Sequence, residues 1–425
     1  MTYEMEYTMY LYSCSACGNK ADAPKKKIDW NRVVQLSVEQ SITYTVALAI
    51  KNNELGCPTE LKNRLTSSLR GAAIKNSLKT EKILSLVDKM NSSGIKTAII
   101  KGIDVSRFYA NPECRVSSDT DLLISINDED KAIKFLSENG FVISPRSENN
   151  HHAVGRHPSL GMVELHVMLF PDFTNKNIFE NWNTNQSGLD ISEKVFIGDN
   201  LYYSLEPTEN LLFLTYHMIK HLVFNGISLR MMMDNALFSK HNLSRIDCNR
   251  YYSTLKKTKY LYTMQLIFGI MVKYAGFNEK DFPIEPKYDN EEIMAILDDL
   301  EDSGWQGFNK GELGGERTLA YSYYMYKSSV NEHDKEKVSD TKKQFEVNYT
   351  QLVFPSKEHL QKRYPNLEKH PNLYPIYWTH RLFARGIPGF FEGKMRYFGV
   401  KKNALFLPAD AKQKIKLFKK LKLLK

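Results

Sequence analysis

The chain has 425 residues and a formal net charge of +9 at pH 7, with 42% hydrophobic and 25% charged residues. That length accommodates two or three folding units with a sizeable core. The composition excludes both a disordered chain and a membrane-embedded one.

In chain order, the sequence opens on a polar stretch whose first residues, Met-Thr-Tyr-Glu-Met-Glu, lack the basic and apolar regions of a secretory signal. A cytoplasmic location is therefore expected. Five cysteines, at positions 14, 17, 57, 114 and 248, are too scattered for a disulfide framework and fit a reducing compartment. Cys14 and Cys17 form a single C-x-x-C pair with no second pair to complete a structural zinc site.

Helical periodicity runs over Val33 to Asn52, Pro58 to Leu78 and Glu81 to Met90, and breaks at Ser92-Ser93-Gly94. Residues 1–92 thus read as a helical layer. Between 93 and 206 the pattern changes to short apolar segments, Thr97 to Ile100, Asp121 to Ile124 and Met162 to Leu165, with one helix over Asp128 to Asn139. This is the pattern of an α/β or α+β core, and the helical segments on either side of it favour α+β.

Helices return at Asn210 to Phe224, Leu229 to Ser239, Tyr251 to Tyr274 and Glu291 to Leu300, so 207–344 reads as a helical domain. Its longest apolar run, Tyr260 to Val272, is shorter than the ~20 residues of a spanning helix and reads as buried. Ser328 to Gln344 is polar and charged, a linker or an exposed helix. The last segment, 345–425, mixes prolines with aromatic residues and ends on a basic tail. Seven of the fourteen residues from Lys412 to Lys425 are lysine, interleaved with apolar residues at near-helical spacing. An amphipathic helix docked on the protein's own body is expected there, with a membrane- or anion-seeking helix as the alternative.

The chemistry concentrates in the α+β core. Asp119-Thr-Asp121 places two carboxylates at i and i+2, directly before Leu-Leu-Ile, so on a strand both face one side. Two adjacent carboxylates are costly to ionise unless a cation neutralises them, and magnesium, a hard cation that keeps sites for phosphates, suits them. Upstream, Ala98-Ile-Ile-Lys101-Gly102 reads as a strand ending in a glycine turn where backbone amides can approach a phosphate. Downstream, Val163-Glu164-Leu165-His166 offers a third carboxylate on a short strand.

Strand and glycine turn, D-x-D strand and later acidic strand together resemble the polymerase-beta-like nucleotidyltransferase superfamily. More narrowly, Ile100-Lys-Gly102, Arg115 with Asp119-Thr-Asp121-Leu-Leu, Val163-Glu-Leu-His166, Arg230 with Asp234, and Phe354-Pro-Ser with Arg363-Tyr-Pro resemble a family of uncharacterised bacterial nucleotidyltransferases. The resemblance implies a mixed β-sheet flanked by helices, with Asp119, Asp121 and Glu164 as catalytic metal ligands for Mg2+, or Mn2+. It implies a nucleoside triphosphate as substrate, with Lys101, Gly102, Arg115 and Ser118 at its phosphates. For Lys101 and Arg115, plain ion pairing with neighbouring acids is the competing reading. The superfamily usually follows its glycine with serine or glycine, whereas Ile103 stands here.

The acceptor stays open between a protein, an RNA and a small molecule. A D-x-D glycosyltransferase is a rival, although in that class the apolar strand leads into the motif rather than following it. A binding or regulatory module with a degenerate site is the other.

Elsewhere, His217 and His221 lie one helical turn apart, a spacing that could ligate a metal, but without the glutamate of a zinc-protease motif buried, hydrogen-bonded histidines are expected. Arg230 and Asp234 have the spacing of an i,i+4 ion pair, while the resemblance implies that they border the substrate cleft. His151, His152 and His157 cluster before the Glu164 segment, either as ordinary surface histidines of a loop or as a phosphate or acceptor contact, and Gly311, Gly314 and Gly315 read as a turn.

Overall fold

The computed structural model describes residues 1–144, 152–170, 187–224, 226–303 and 409–423. Helices α1 (Tyr3–Cys17), α2 (Trp30–Glu39), α3 (Thr43–Asn52) and α4 (Thr59–Ser92) precede the first strand. The stretch read as a polar lead-in is in fact α1. Its N-terminus is capped by Thr2, whose hydroxyl accepts from the Met5 amide, and Gly18 closes it at φ 75°. Met5, Met9, Leu11 and Tyr12 bury all round it, so it shows no polar face from which periodicity could be read.

The single helix expected over Val33 to Asn52 is two, because Ser41 takes a left-handed φ of 55° between α2 and α3. In contrast, the two stretches expected on either side of Thr80 run together as the 34-residue α4.

Seven strands form one mixed sheet: β1 (Thr97–Ile100), β2 (Asp119–Ile124), β3 (Val142–Ser144), β4 (His152–His157), β5 (Gly161–His166), β6 (Glu193–Ile197) and β7 (Asn200–Ser204). Their order is β3-β4-β5-β2-β1-β7-β6. β2 runs antiparallel to β1 and parallel to β5. Around the sheet lie α5 (Ile103–Ser106), α6 (Glu129–Glu138), α7 (Ser187–Asp190), α8 (Pro207–Phe224), α9 (Leu229–Asn242), α10 (Cys248–Thr258), α11 (Leu261–Ala275) and α12 (Asn290–Ser303). The α+β class is as the sequence indicates. The helix expected over Tyr251 to Tyr274 is divided, since Lys259 adopts φ 65° and caps α10.

Alternation along the central strands builds two cores, one per face. Ile99, Leu122, Ile124, Val163 and Leu165 pack with Ile83, Val87 and Met90 of α4 and Leu136 of α6. Ala98, Ile100 and Leu123 pack on the opposite face with Phe213 and Tyr216 of α8. Burying one such aliphatic side chain contributes about 1.5–3 kcal/mol, so the sheet's two apolar faces hold it between the helices. The site described below lies where the α8-side face turns polar.

Residues 1–313 with 421–423 form one compact unit and 314–420 with 424–425 a second. The expected 1–92 and 93–206 segments fall within the first unit, and 207–344 spans the change from one to the other. In the second unit, α13 (Ala409–Lys420) is helical. In the first, the Thr263 hydroxyl donates to the Leu421 carbonyl at 3.0 Å. The polar stretch from Ser328, the Gly311, Gly314 and Gly315 turn, His151, and the Phe354 and Arg363 motifs lie outside the described residues. Among the described residues no helix is long and apolar enough to cross a membrane.

Candidate active site

On β2 the side chains of 119, 121 and 123 share one face, so the face that buries Leu123 beneath α8 carries Asp121 and then Asp119 toward the strand's start. Register brings the other groups alongside. Asp121 is opposite Ile100 of β1 and Glu164 of β5, while His152 of β4 is opposite His166 of β5. Neighbours in register project to the same side, so Asp119, Asp121, Glu164, His166 and His152 converge.

Lys101 follows Ile100 in a left-handed conformation, φ 65°, and Gly102 follows at φ 47° and ψ −108°. This backbone aims the Lys101 ammonium at Asp121, Nζ to Oδ1 2.7 Å. The His166 imidazole lies between the two carboxylates, with Nε2 3.1 Å from Asp121 Oδ1 and 3.4 Å from Glu164 Oε2. Asp119 is more open and accepts from the Ser117 hydroxyl at 2.9 Å and from Ser118 at 3.4 Å.

At Gly102 an added Cβ meets nothing within 4 Å. The demand for glycine is therefore conformational, since an L side chain rarely adopts this backbone. Gly102→Ala is expected to lose about 1–3 kcal/mol of stability through strain alone. Urea unfolding checks it, and an unchanged midpoint would count against the strained turn.

Charges balance within the cluster. Burial pushes the Asp121 carboxyl up, but Lys101 and His166 outweigh it and hold the group below the usual range. Burial likewise penalises charged Glu164, yet the His166 hydrogen bond, Lys101 and His152 bring it down to about 2. The Lys101 ammonium is opposed by burial and favoured more strongly by Asp121, Asp119 and Glu164, so it stays charged. Lys220 is lowered by burial and then by Lys101.

Arg115 is buried and makes a fork with Asp234, Nε to Oδ1 2.8 Å and Nη2 to Oδ2 2.5 Å. Its Nη1 donates to the Gly102 carbonyl at 3.1 Å, and Tyr109 donates to Asp234 at 2.7 Å. The guanidinium thus fastens the glycine turn to α9. Arg230 Nη1 donates to the Val116 carbonyl at 2.9 Å, holding the segment that leads into β2.

These groups line a cavity of about 250 Å3 that also takes in Ser117, Phe213, His217, Lys220, His221, Arg230 and Asp234. His217, Lys220 and His221 fall on one face of α8 because three- and four-residue steps return to the same side. Their wall faces the carboxylates on the sheet.

Both imidazoles of that wall are held neutral. Burial comes first, then the charge of Lys101, so that His221 falls to about 3 and His217 well below its ordinary value. A histidine that stays neutral in the fold but protonates when unfolded contributes stability that is complete above pH ~6.5 and is lost as pH falls toward the folded value. Acidification from pH 7.5 to 5 is therefore expected to destabilise the protein. His221→Asn should flatten that dependence by up to about 1.4 kcal/mol per pH unit, read by urea unfolding at each pH. An unaltered slope would argue against a neutral His221.

A family model described as an uncharacterised nucleotidyltransferase matches residues 26–276, more than half of the chain. The chain belongs to that family. Among solved structures, this family member is similar to a lincomycin-bound lincosamide antibiotic adenylyltransferase, LnuA, at 15% identity and a TM-score of 0.27, over 37% of this chain and 94% of that one. It is also similar to an antigenic nucleotidyltransferase-like protein from Paracoccidioides brasiliensis, at 15% identity and a TM-score of 0.27, over 38% of this chain and 75% of that one. No curated protein matches. Membership leaves the rival D-x-D glycosyltransferase reading without support.

Of the residues singled out from sequence, Lys101, Gly102, Arg115, Asp119, Asp121 and Glu164 all line this cavity, while Ser118 stands beside it as a hydrogen-bond partner of Asp119. Arg230 and Asp234 line it too, and Asp234 takes its fork from Arg115. Ser117, His166 and Lys220 were not assigned to the site from sequence, and His152, open there between a loop histidine and a phosphate or acceptor contact, lines the cavity. The register of β4 on β5 explains the histidines, since His152 belongs to a strand where a loop was expected. For Lys220 a signal existed in its position between His217 and His221 on one helical face.

Proposed function

We propose that this cleft transfers a nucleoside monophosphate from a nucleoside triphosphate to an acceptor hydroxyl, with Mg2+ or Mn2+ held by Asp119, Asp121 and Glu164. The observation that carries the reading is the register pairing of Asp121 with Glu164, with Asp119 on the same face, inside a cavity that also holds Lys101, Lys220 and Arg230. Three hard oxygen donors facing one space fit a divalent cation. A cation held there would neutralise phosphate charge and lower the pKa of the attacking hydroxyl.

The chain's own groups do the rest. Lys101 and Lys220 bring fixed positive charge to the oxygens around the α-phosphorus, where negative charge builds during transfer. Arg115 and Arg230 keep the glycine turn and the lead into β2 in place, so the carboxylates stay oriented. The acceptor oxygen bonds to the α-phosphorus, the bond to the bridging oxygen breaks, pyrophosphate leaves, and the hydroxyl proton passes to a carboxylate of the site.

Incubation of the full chain with each α-labelled nucleoside triphosphate and Mg2+, against protein, RNA and small hydroxyl acceptors, tests this. Labelled acceptor with an equal amount of pyrophosphate is expected. A second reading, a binding module without turnover, draws on the Lys101 to Asp121 pair and on Ile103 after the glycine. Tight nucleotide binding with no pyrophosphate from any acceptor would select it.

A further inference from the structure

The third acidic strand carries more than a carboxylate. Among the described residues, the ligand atoms of His152, Glu164 and His166 all lie within 4.8 Å of one another. Glu164 Oε2 is the centre of the group, 3.4 Å from His166 Nε2 and 4.0 Å from His152 Nε2. All three side chains stand on adjacent strands of a sheet: Glu164 and His166 at i and i+2 on β5, and His152 directly opposite His166 on β4. The set is held by backbone pairing rather than by a loop.

We propose that His152, Glu164 and His166 form a binding site for a borderline divalent cation of the zinc class, selective against magnesium. Two imidazoles and one carboxylate are the donor set of zinc and related transition-metal sites, whereas magnesium takes oxygen ligands and keeps its waters. At metal–ligand distances of about 2.0–2.2 Å, tetrahedral donors stand about 3.4 Å apart. The Glu164 to His166 separation already matches, and His152, whose ligand atom lies 4.0 Å from Glu164 and within 4.8 Å of His166, closes on the pair by a rotation about its χ angles.

His166 would present its Nε2 lone pair with the proton on Nδ1, so that Nε2 turns from its hydrogen bond with Asp121 to binding the cation. His152 and Glu164 are 18% and 21% exposed in their side chains, which leaves an entry path from the cleft.

Charge around the site is mixed. Lys101 and Lys220 oppose a second cation, while Asp119, Asp121 and Glu164 more than balance them. The inference does not rest on nucleotidyl transfer, although it shares Glu164 with that reading.

The test uses the metal-free full chain and Co2+ as a spectroscopic probe for the zinc class, with Zn2+ and Mg2+ compared by calorimetry without nucleotide. One equivalent of Zn2+ is expected to bind at least ~100-fold more tightly than Mg2+, since imidazole donors favour it. His152→Gln and His166→Gln should each weaken binding at least about tenfold and remove the visible Co2+ bands, with folding verified by circular dichroism. Asp119→Asn should keep Co2+ binding while abolishing any transfer, which separates this site from the proposed reaction. Zn2+ affinity unchanged in both histidine variants would overturn the proposal. A near-ultraviolet thiolate band from Co2+, placing the metal on cysteines such as Cys14 and Cys17, would overturn it as well.

Discussion

Asp119→Asn is expected to reduce nucleotidyl transfer by at least ~10²–10³-fold at little cost in stability, because it weakens the hold on the cation that would neutralise the reacting phosphate while Lys101 keeps its direct partner Asp121. Asp119 is half-buried and its partners, the Ser117 and Ser118 hydroxyls, bond equally well to an amide oxygen. Asp121→Asn should lose a comparable amount of activity and stability with it. Its carboxylate is buried, 2.7 Å from the Lys101 ammonium and 3.1 Å from His166, so the amide leaves an inward-facing ammonium without its counter-charge. Transfer assays together with thermal melts on the two variants distinguish these outcomes. Wild-type turnover in Asp119→Asn would remove that residue from the chemistry, and equal melting temperatures for both variants would refute the paired role of Asp121.

Removing Arg115 carries the largest expected cost in stability. The guanidinium and the Asp234 carboxylate are both buried, and breaking such a pair from one side costs about 3–5 kcal/mol because the remaining charge stays inside unpaired. Arg115→Ala should therefore lower unfolding free energy by that order, and Asp234→Ala by a similar amount. The double replacement Arg115→Met with Asp234→Leu should recover most of the loss, since a buried pair exchanged for apolar groups of similar volume is close to neutral. Activity should remain low even in the recovered double variant, because the Gly102 carbonyl loses its donor and the turn that aims Lys101 is released. Chemical denaturation measures the first two effects. A loss under about 1 kcal/mol in Arg115→Ala would mean that the pair is open to solvent.

The readings that succeeded from sequence are those encoded in neighbouring residues. Thr97 to Ile100, Asp121 to Ile124 and Met162 to Leu165 are short apolar runs, and each is a strand. The helix over Asp128 to Asn139 keeps its polar and apolar faces in register and is α6 within a residue or two. The strands that escaped are weakly patterned. β4 reads His-Ala-Val-Gly-Arg-His, and β6 and β7 are five residues each around a two-residue turn at Gly198 and Asp199. Helix breaks at Ser41 and Lys259 escaped too, because a non-glycine residue with positive φ is selected by its surroundings rather than by its own preference.

By itself the sequence determined that Asp119 and Asp121 share a face, since side chains two apart on a strand point the same way. It also carried the local motifs that place the chain in its family. Only the tertiary structure decided which groups surround those aspartates. β2 and β5 pair in parallel, so Glu164 stands in register with Asp121, and His166 reaches that aspartate from 45 residues along the chain. β4 adds His152, α8 adds Lys220 between two neutral imidazoles, and Arg115, at the cavity wall, is forked to Asp234. Register and burial are collective properties of the packed sheet and its helices, and no window of neighbouring residues contains them.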